Sequence, residues 1–209
     1  MTSPGRRPST TKAQLSEIAI ELFSERGFDN TSVDDIAAAA GIARRTLFRY
    51  FPSKNAIAWG EFDERVASMR AHLAAAPADE PLTDSILDVL VEFNRIDPEH
   101  VSHHRQRMEL LLRVPALQAH SMLMYAEWRH AIAEFVAART GSDADAHLPQ
   151  TAGWLVLGVA LAAYEQWLAH ADADLADLLT AGMQTLANPS AITGVHPADR
   201  KFAADSDAE

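Results

Sequence analysis

Residues 41–54, GIARRTLFRYFPSK, hold three arginines, one lysine and three aromatic residues without an acidic side chain. Gly41 and Ile42 predict a tight turn after an alanine-rich helix. Residues 43–51 then predict a short helix that Pro52 ends, because proline lacks the N–H that a helix interior needs. Two short helices joined by a glycine turn form a helix-turn-helix. The stretch therefore predicts a DNA-binding motif.

The second helix of this motif has an apolar face and a basic face. At 100° per residue, Leu47 and Phe51 lie together as the inward face, whereas Arg45 and Arg49 project on the opposite side. Arg44 begins the helix, at the end where side chains of a recognition helix contact base edges. Thr46 and Phe48 flank the basic face. The alternative, an ordinary solvated basic helix, is disfavoured by the combination of glycine turn, basic aromatic helix, proline, cap and lysine.

Net charge is distributed unevenly along the chain. The 209 residues carry a formal charge of −11, but residues 1–60 contain eight Lys/Arg and six Asp/Glu, which leaves −13 for the remainder. A locally basic surface still attracts phosphates, because salt screens acidic groups more than about 10 Å away. We therefore expect the first 60 residues to bind DNA and the acidic remainder to limit non-specific binding.

Composition excludes several classes of protein. The chain has no cysteine, which rules out disulfides, thiolate metal sites and cysteine nucleophiles. No apolar stretch follows Arg6 and Arg7, and the longest uncharged apolar run, residues 152–164, is too short to span a bilayer. These features predict a cytoplasmic protein with no membrane partner.

Apolar residues recur at helical spacing in nearly every segment, and no strand pattern of period two occurs. A first helix is predicted to end at Gly27, and a second to begin at the cap candidates Thr31 and Ser32, where free amides could hold a phosphate. Ser53 is the expected cap of a fourth helix that continues to about residue 76.

The predicted fold class is all-α, with an N-terminal three-helix helix-turn-helix DNA-binding domain and a C-terminal helical ligand-binding and dimerisation domain. Residues 1–10 are rich in Pro, Gly, Ser and Thr and are expected to form a flexible arm, followed by the DNA-binding domain over 11–60. The effector-binding and dimerisation domain is placed at 61–187, and a disordered tail at 188–209.

Three histidines invite a metal interpretation, because His100 and either His103 or His104 would share one face of a helix. The sequence places no further ligand to complete a shell, so ordinary surface histidines are the better interpretation and no metal or cofactor is expected. Carboxylates and histidines show no catalytic spacing either, which predicts that the chain is not an enzyme.

A dimer interface is predicted from the last two helices. The segment from about residue 145 to 170 contains TAGWLVLGVALAAY, which is apolar on all sides and so must be covered on every side. The final helix, 174–187, repeats leucines at helical spacing, and two such helices from each protomer would form a four-helix bundle. The candidate interface residues are Gly153, Val156, Gly158, Leu175, Leu178, Leu179 and Met183.

The segment AxxLFSERGFDNTSVDDIAAAAGIARRTLFRYFPSKNAI, within residues 12 to about 60, resembles the DNA-binding domain of the TetR family of bacterial transcriptional regulators. The resemblance implies that the third helix contacts bases and that a final helix pair forms the dimer. Arg44, Arg45 and Thr46 match base-contacting positions. Phe48, Arg49, Tyr50 and Lys54 match positions next to phosphates. Phe48 departs from the tyrosine common in the family, so it can only make van der Waals contact there.

Two stretches, ARRTLFRYFPSKNAIAWGEFD and RQRMELLLRVPALQAHSMLMYAEWR, resemble the TetR subgroup found beside mycofactocin biosynthesis genes. That resemblance implies a response to long-chain acyl-CoA thioesters. An acyl tail needs an apolar tunnel, which Met108, Leu112, Met124 and Trp128 could line. The CoA phosphates need cations, for which the candidates are Arg105, Arg107, Arg113 and Arg129, although each could instead form a surface salt bridge.

The predicted function is a ligand-responsive homodimeric transcriptional repressor that binds a palindromic DNA operator and an apolar small-molecule effector, with long-chain acyl-CoA as the specific candidate. Binding must differ between two states of the protein for the effector to switch it. A DNA-binding regulator without an effector and, more remotely, an all-helical enzyme remain the alternatives.

Overall fold

The structure, a computed structural model, describes residues 10–188. Every regular element in that part of the chain is helical, which confirms the all-α prediction. The α-helices are α1 Lys12–Arg26, α2 Val33–Ala39, α3 Arg44–Tyr50, α4 Lys54–Trp59, α5 Phe62–Ala75, α6 Leu82–Phe93, α7 Val101–Arg113, α8 Pro115–Thr140, α9 His147–Ala169 and α10 Leu175–Ala187, with a 3₁₀ turn at Pro98–His100. Apart from Thr10 and Asn188, the predicted arm and tail lie outside the described residues.

These helices form two compact units. The first holds the residues up to Ser68 together with Ile96–Glu127, and the second holds Met69–Arg95 together with the residues from Trp128 onward. The chain passes from the first unit to the second within α5, returns to the first between Arg95 and Ile96, and passes to the second again within α8. The predicted division at residue 60 did not include this return: α7 and the first half of α8 belong to the unit that contains the helix-turn-helix.

Helix caps and a shared core fix α1, α2 and α3. Thr11 and Gln14 form a capping box at the start of α1, and Ser32 and Asp35 form one at the start of α2. Each box satisfies N–H groups that a helix start leaves without partners. Five core side chains of these helices are at most 1% exposed: Leu15, Ile20, Phe23, Ile36 and Leu47. Caps and core together hold α3 in a defined orientation.

The prediction of one long fourth helix from Ser53 to about residue 76 is wrong, because the helix ends at Trp59 and a new one begins after it. Gly60 has φ 60° and ψ −123°, a conformation that side-chain-bearing residues rarely adopt, and α5 begins only at Phe62. A Cβ on Gly60 would lie 3.1 Å from the Ser16 hydroxyl oxygen. Glycine is therefore needed for the backbone conformation and for the close approach of α1.

In the second unit, α9 packs closely against α8 and α10. A Cβ on Gly153 would lie 2.8 Å from the Arg129 carbonyl oxygen, and one on Gly182 would lie 2.6 Å from Val159 Cγ1. The Tyr164 hydroxyl donates a 2.8 Å hydrogen bond to buried Asn94. Close helix contacts and a satisfied buried polar pair give this unit a specific core.

By length and composition alone, α9 could span a membrane, because it has 23 residues. The uncharged apolar run of the sequence, residues 152–164, is only the middle part of this helix. Nine of its residues are nevertheless buried within the second unit. In a single copy of the chain, Trp154, Leu155 and Gly158 are exposed, so the apolar face that the sequence assigns to an interface is open, and its cover by a second copy stays a prediction. One face of α9 is core, and another is an open apolar surface.

Candidate functional site

Helix α3 presents its charged side chains to solvent. Leu47 and Phe51 are 1% and 2% exposed and anchor the helix, whereas Arg44, Arg45 and Arg49 are exposed. Gly41, with φ 65°, makes the turn before the helix. Three guanidinium groups on one exposed helix, following a glycine turn, form a surface suited to phosphates and guanine edges.

Two of these arginines are oriented by neighbouring groups. The Arg44 guanidinium lies 2.6 Å from the Asp34 carboxylate of α2 and 5.4 Å from the Phe48 ring centroid. Arg49 lies 5.4 Å from the Tyr50 ring centroid. Arg45 forms no ion pair or hydrogen bond with any residue in the described part of the chain. An exposed ion pair contributes only about 0–1 kcal/mol, so DNA can displace the one at Arg44.

Phe48 and Tyr50 both lie beside this basic surface, but only Tyr50 has a group that can form hydrogen bonds. Phe48 is 41% exposed, a large apolar side chain at the surface. The Tyr50 hydroxyl donates to the Thr10 carbonyl oxygen at 2.9 Å, which ties the start of α1 to α3. Thr46 is half-buried. Tyr50 can therefore accept a hydrogen bond but has no second proton to donate to a phosphate.

Thr31 is not a DNA-binding side chain, and that prediction is wrong. It is fully buried, and its hydroxyl lies 2.9 Å from the Gly27 carbonyl oxygen and 3.2 Å from that of Leu22. Its amide donates to the Phe28 carbonyl oxygen. Thr31 instead fixes the loop between α1 and α2, and Ser32 is the N-cap of α2.

Lys54 has an internal role that the sequence did not indicate. Its Nζ donates to the Phe28 carbonyl oxygen at 2.5 Å and lies 4.1 Å from the Phe28 ring centroid. Desolvation lowers the pKa of Lys54, and nearby Asp29 opposes that effect. Lys54 thus ties the start of α4 to the α1–α2 loop. Contact of its remaining donors with phosphate stays a prediction.

The four arginines predicted to bind an effector have different surroundings. Arg113 is exposed and pairs with Glu109 at 2.7 Å, which is the surface salt bridge that the sequence left open. Arg107 donates to the Ser16 hydroxyl at 3.2 Å, and Arg105 is half-buried in the same unit. Arg129 belongs to the second unit, where its guanidinium lies 3.5 Å from the Trp154 ring centroid. A joint role in binding phosphates stays a prediction.

The apolar effector candidates are also divided between the units. Met108 is 8% exposed, and Leu112 and Met124 are half-buried in the first unit. Trp128 is 3% exposed in the second unit, edge-on to Phe93 at 6.1 Å. Met108 and Trp128 lie inside helical cores, where an apolar ligand would have to be accommodated.

Sequence analysis did not identify an aromatic cluster in the first unit. Trp59 lies edge-on to Phe62, with 4.7 Å between ring centroids, and to Tyr125 at 5.5 Å. Nothing local could place Tyr125 of α8 against them.

His104 is largely buried, and the metal alternative gains no support from its environment. Burial, followed by the charges of Arg65 and Arg107 and by His103, lowers the pKa of His104 to about 3. A buried neutral imidazole beside two guanidinium groups is a poor site for a cation. Within residues 10–188, no group of three His, Asp or Glu side chains converges as metal ligands would.

Most of the predicted dimer residues are internal. Gly153, Val156, Leu175, Leu179 and Met183 are buried within the second unit, which corrects their assignment to an interface. Gly158 and Leu178 instead line an open groove of about 440 Å³ together with Trp154, Leu155 and Leu186. Both faces of α9 are apolar in sequence, so periodicity could not distinguish the inner face from the outer.

A three-helix head with an exposed basic helix, joined to further helices, defines a helix-turn-helix transcriptional regulator. The chain belongs to the TetR family of bacterial regulatory proteins, whose model matches residues 16–58. Residues 80–191 match the model of the MftR C-terminal domain. These families are transcriptional regulators and not enzymes.

A relative from Mycobacterium tuberculosis, a candidate mycofactocin biosynthesis transcriptional regulator named MftR, is 48% identical over 87% of this chain and 92% of its own. Two solved structures share the fold. Bacillus subtilis FadR in complex with stearoyl-CoA has a TM-score of 0.57 and 16% identity over 88% of this chain and 98% of its own. Thermus thermophilus FadR in complex with lauroyl-CoA has a TM-score of 0.53 and 22% identity over 84% and 92%.

Proposed function

We propose that the protein is a homodimeric repressor that binds a palindromic operator through α3 and releases it when a long-chain acyl-CoA binds. The observation that carries the DNA-binding role is the exposed arginine face of α3, oriented by buried Leu47 and Phe51. Two copies related by a two-fold axis would contact two half-sites of opposite orientation. Such a repressor acts on chromosomal DNA, so its place is the cytoplasm.

The groove between α9 and α10 supports the homodimer. Trp154 and Leu155 are each 49% exposed, and a Cβ on Gly158 would meet nothing within 4 Å. An exposed apolar patch at helices that otherwise form a core is typical of an interface. The same two helices from a second copy would cover it as a four-helix bundle.

Gly158→Arg tests this assembly, because it would place an unpaired charge in the apolar groove. We expect sedimentation to show monomers and operator affinity to collapse while the far-ultraviolet dichroism is retained. Gln184→Arg is the matched control, since Gln184 is exposed on α10 but does not line the groove. A Gly158→Arg variant that stays dimeric would place the interface elsewhere.

An acyl-CoA effector is supported by the MftR-type C-terminal domain and by the two neighbours solved with stearoyl-CoA and lauroyl-CoA. Within the first unit, α7 rests on α1 through the Arg107–Ser16 hydrogen bond, and His103 Nε2 lies 3.4 Å from the Glu17 carbonyl oxygen. A ligand that moves α7 would therefore alter the packing of the helix that supports α3.

The test is release of the full-length protein from an operator that it selects from random-sequence DNA, measured by fluorescence anisotropy. Each buried methylene contributes about 0.8 kcal/mol, so potency should rise roughly fourfold per added carbon until the site is full. Free CoA should release little DNA. A flat response to chain length, or equal potency of free CoA, would contradict the acyl-CoA assignment and leave the DNA-binding role intact.

A further inference from the structure

Trp59 carries a buried donor that lacks an acceptor. It is the last residue of α4, and its side chain is 7% exposed. Its Nε1–H forms no hydrogen bond with any residue in the described part of the chain. A buried donor without a partner is costly, and such groups in native proteins usually have a functional explanation. The indole N–H can only donate, so it requires an acceptor atom.

Tyr125 supplies a second such donor on an adjoining ring. Its ring lies 5.5 Å from that of Trp59, and its buried hydroxyl lacks a well-formed hydrogen bond within residues 10–188. The Ser121 hydroxyl, on the preceding turn of α8, donates its proton to the Leu117 carbonyl oxygen at 2.8 Å. Burial raises the pKa of Tyr125, with Ser121 opposing that effect, so the phenol keeps its proton at neutral pH.

The surroundings indicate what kind of acceptor fits. Phe62 lies edge-on to Trp59 at 4.7 Å, so the site is aromatic and mostly apolar. Both donors are neutral, which suits an uncharged oxygen better than a phosphate, because a buried phosphate needs compensating cations. Arg107 lies beside Gly60, but its Nη2 donates to Ser16. Its positive charge favours an oxygen acceptor over another donor.

We propose that Trp59 Nε1 and Tyr125 Oη donate hydrogen bonds to the carbonyl oxygen at the head of the effector's acyl chain, the thioester oxygen of an acyl-CoA. This inference rests on the proposed function. It separates recognition of the thioester from recognition of the alkyl tail and of the CoA phosphates. It also places the effector's reactive group at the end of α4, a helix of six residues that begins just after α3.

The experiment compares two ligands that differ at one atom group: hexadecanoyl-CoA, and the thioether S-hexadecyl-CoA, in which a methylene replaces the carbonyl. Isothermal titration calorimetry on the full-length dimer should show wild type binding the thioester about fivefold to tenfold more tightly, the worth of one or two neutral hydrogen bonds. Trp59→Phe keeps a ring but removes the N–H, and should reduce that preference to about twofold to threefold, since one of the two donors remains. Its affinity for the thioether should stay within twofold of wild type.

Tyr125→Phe should reduce the preference in the same way, which guards against a folding defect in a single variant. Trp167→Phe, which removes an indole in the second unit, is the matched control and should keep the wild-type preference. If Trp59→Phe loses affinity equally for the thioester and the thioether, or keeps the wild-type preference for the thioester, the inference is overturned while acyl-CoA remains the proposed effector. Hexadecanoate binding that matches the thioester and weakens in Trp59→Phe would assign the acceptor to a carboxylate and overturn the thioester. If wild type binds neither CoA ligand, the proposed effector itself fails.

Discussion

Lowering the pH from 7 to 5 should destabilise the protein through His104. Burial is the largest cause of its low pKa of about 3, followed by repulsion from Arg65, Arg107 and His103. An unfolded histidine has a pKa of about 6.5. Because the folded pKa is depressed, the unfolded chain takes up the proton first as the pH falls. The stability is therefore present above about pH 6.5 and is lost progressively between about pH 6.5 and pH 3.

The two pKa values set the size of the effect. At pH 5 the unfolded imidazole is about 97% protonated and the folded one is almost entirely neutral, which corresponds to about 2 kcal/mol lost relative to pH 7. The loss is a large share of a typical stability of about 5–15 kcal/mol.

The assay is urea unfolding at pH 7 and pH 5 at one fixed protein concentration, with dichroism as the signal. His104→Gln replaces the imidazole by a neutral polar group and should lose about 2 kcal/mol less than wild type on acidification. His100→Gln is the control, since the His100 side chain is 56% exposed. If His104→Gln keeps the pH dependence of wild type within about 0.5 kcal/mol, burial of this imidazole is not its source.

Three further substitutions test the DNA-binding head. Arg45→Ala should lose about 1–3 kcal/mol on the operator and relax specificity at one base pair per half-site, and equal loss on random DNA would exclude base contact. Lys54→Met should lower the free energy of unfolding by about 1–2 kcal/mol through its lost internal bond, whereas a drop of about one unit in the salt slope of DNA binding would show a phosphate contact as well. Gly60→Ala should lower Tm more than Gly141→Ala in calorimetry, because both have positive φ but only a Cβ on Gly60 approaches another side chain, that of Ser16. Equal Tm values would show that this contact is relaxed at no cost.

The recognition helix could be predicted because its signals are local. The glycine turn, the apolar pair Leu47 and Phe51, and Pro52 all lie within one short stretch, and each acts on the residues beside it. Helix boundaries from Pro115 to Thr140 follow for the same reason, since proline begins that helix and Gly141 follows its end. Local sequence rules are enough where residues adjacent in sequence decide the backbone conformation.

The roles that the sequence pattern did not indicate depend on contacts outside a residue's own helix. Thr31 and Lys54 have the composition of surface residues, but a loop carbonyl oxygen binds each of them. Gly60 lies in a helical pattern that tolerates glycine, and the close approach of Ser16, far away in sequence, accompanies the break. The pattern of residues along one sequence contains no signal for contacts between different segments of the chain.

Ser16 of α1 is a buried residue that links two other helices of the first unit. Its buried hydroxyl donates to the Ile57 carbonyl oxygen of α4 at 2.7 Å and accepts from Arg107 of α7 at 3.2 Å. One side chain of α1 thus bonds to both helices within the same unit. A ligand that shifts α7 or the Trp59 end of α4 must change at least one of these bonds, and an unmade buried hydrogen bond costs about 1–3 kcal/mol. This cost is comparable to the coupling free energy of about 1–3 kcal/mol between sites in allosteric proteins. A change at Ser16 is therefore large enough for an effector to bias the position of α3, without a chain of further residues between the two sites.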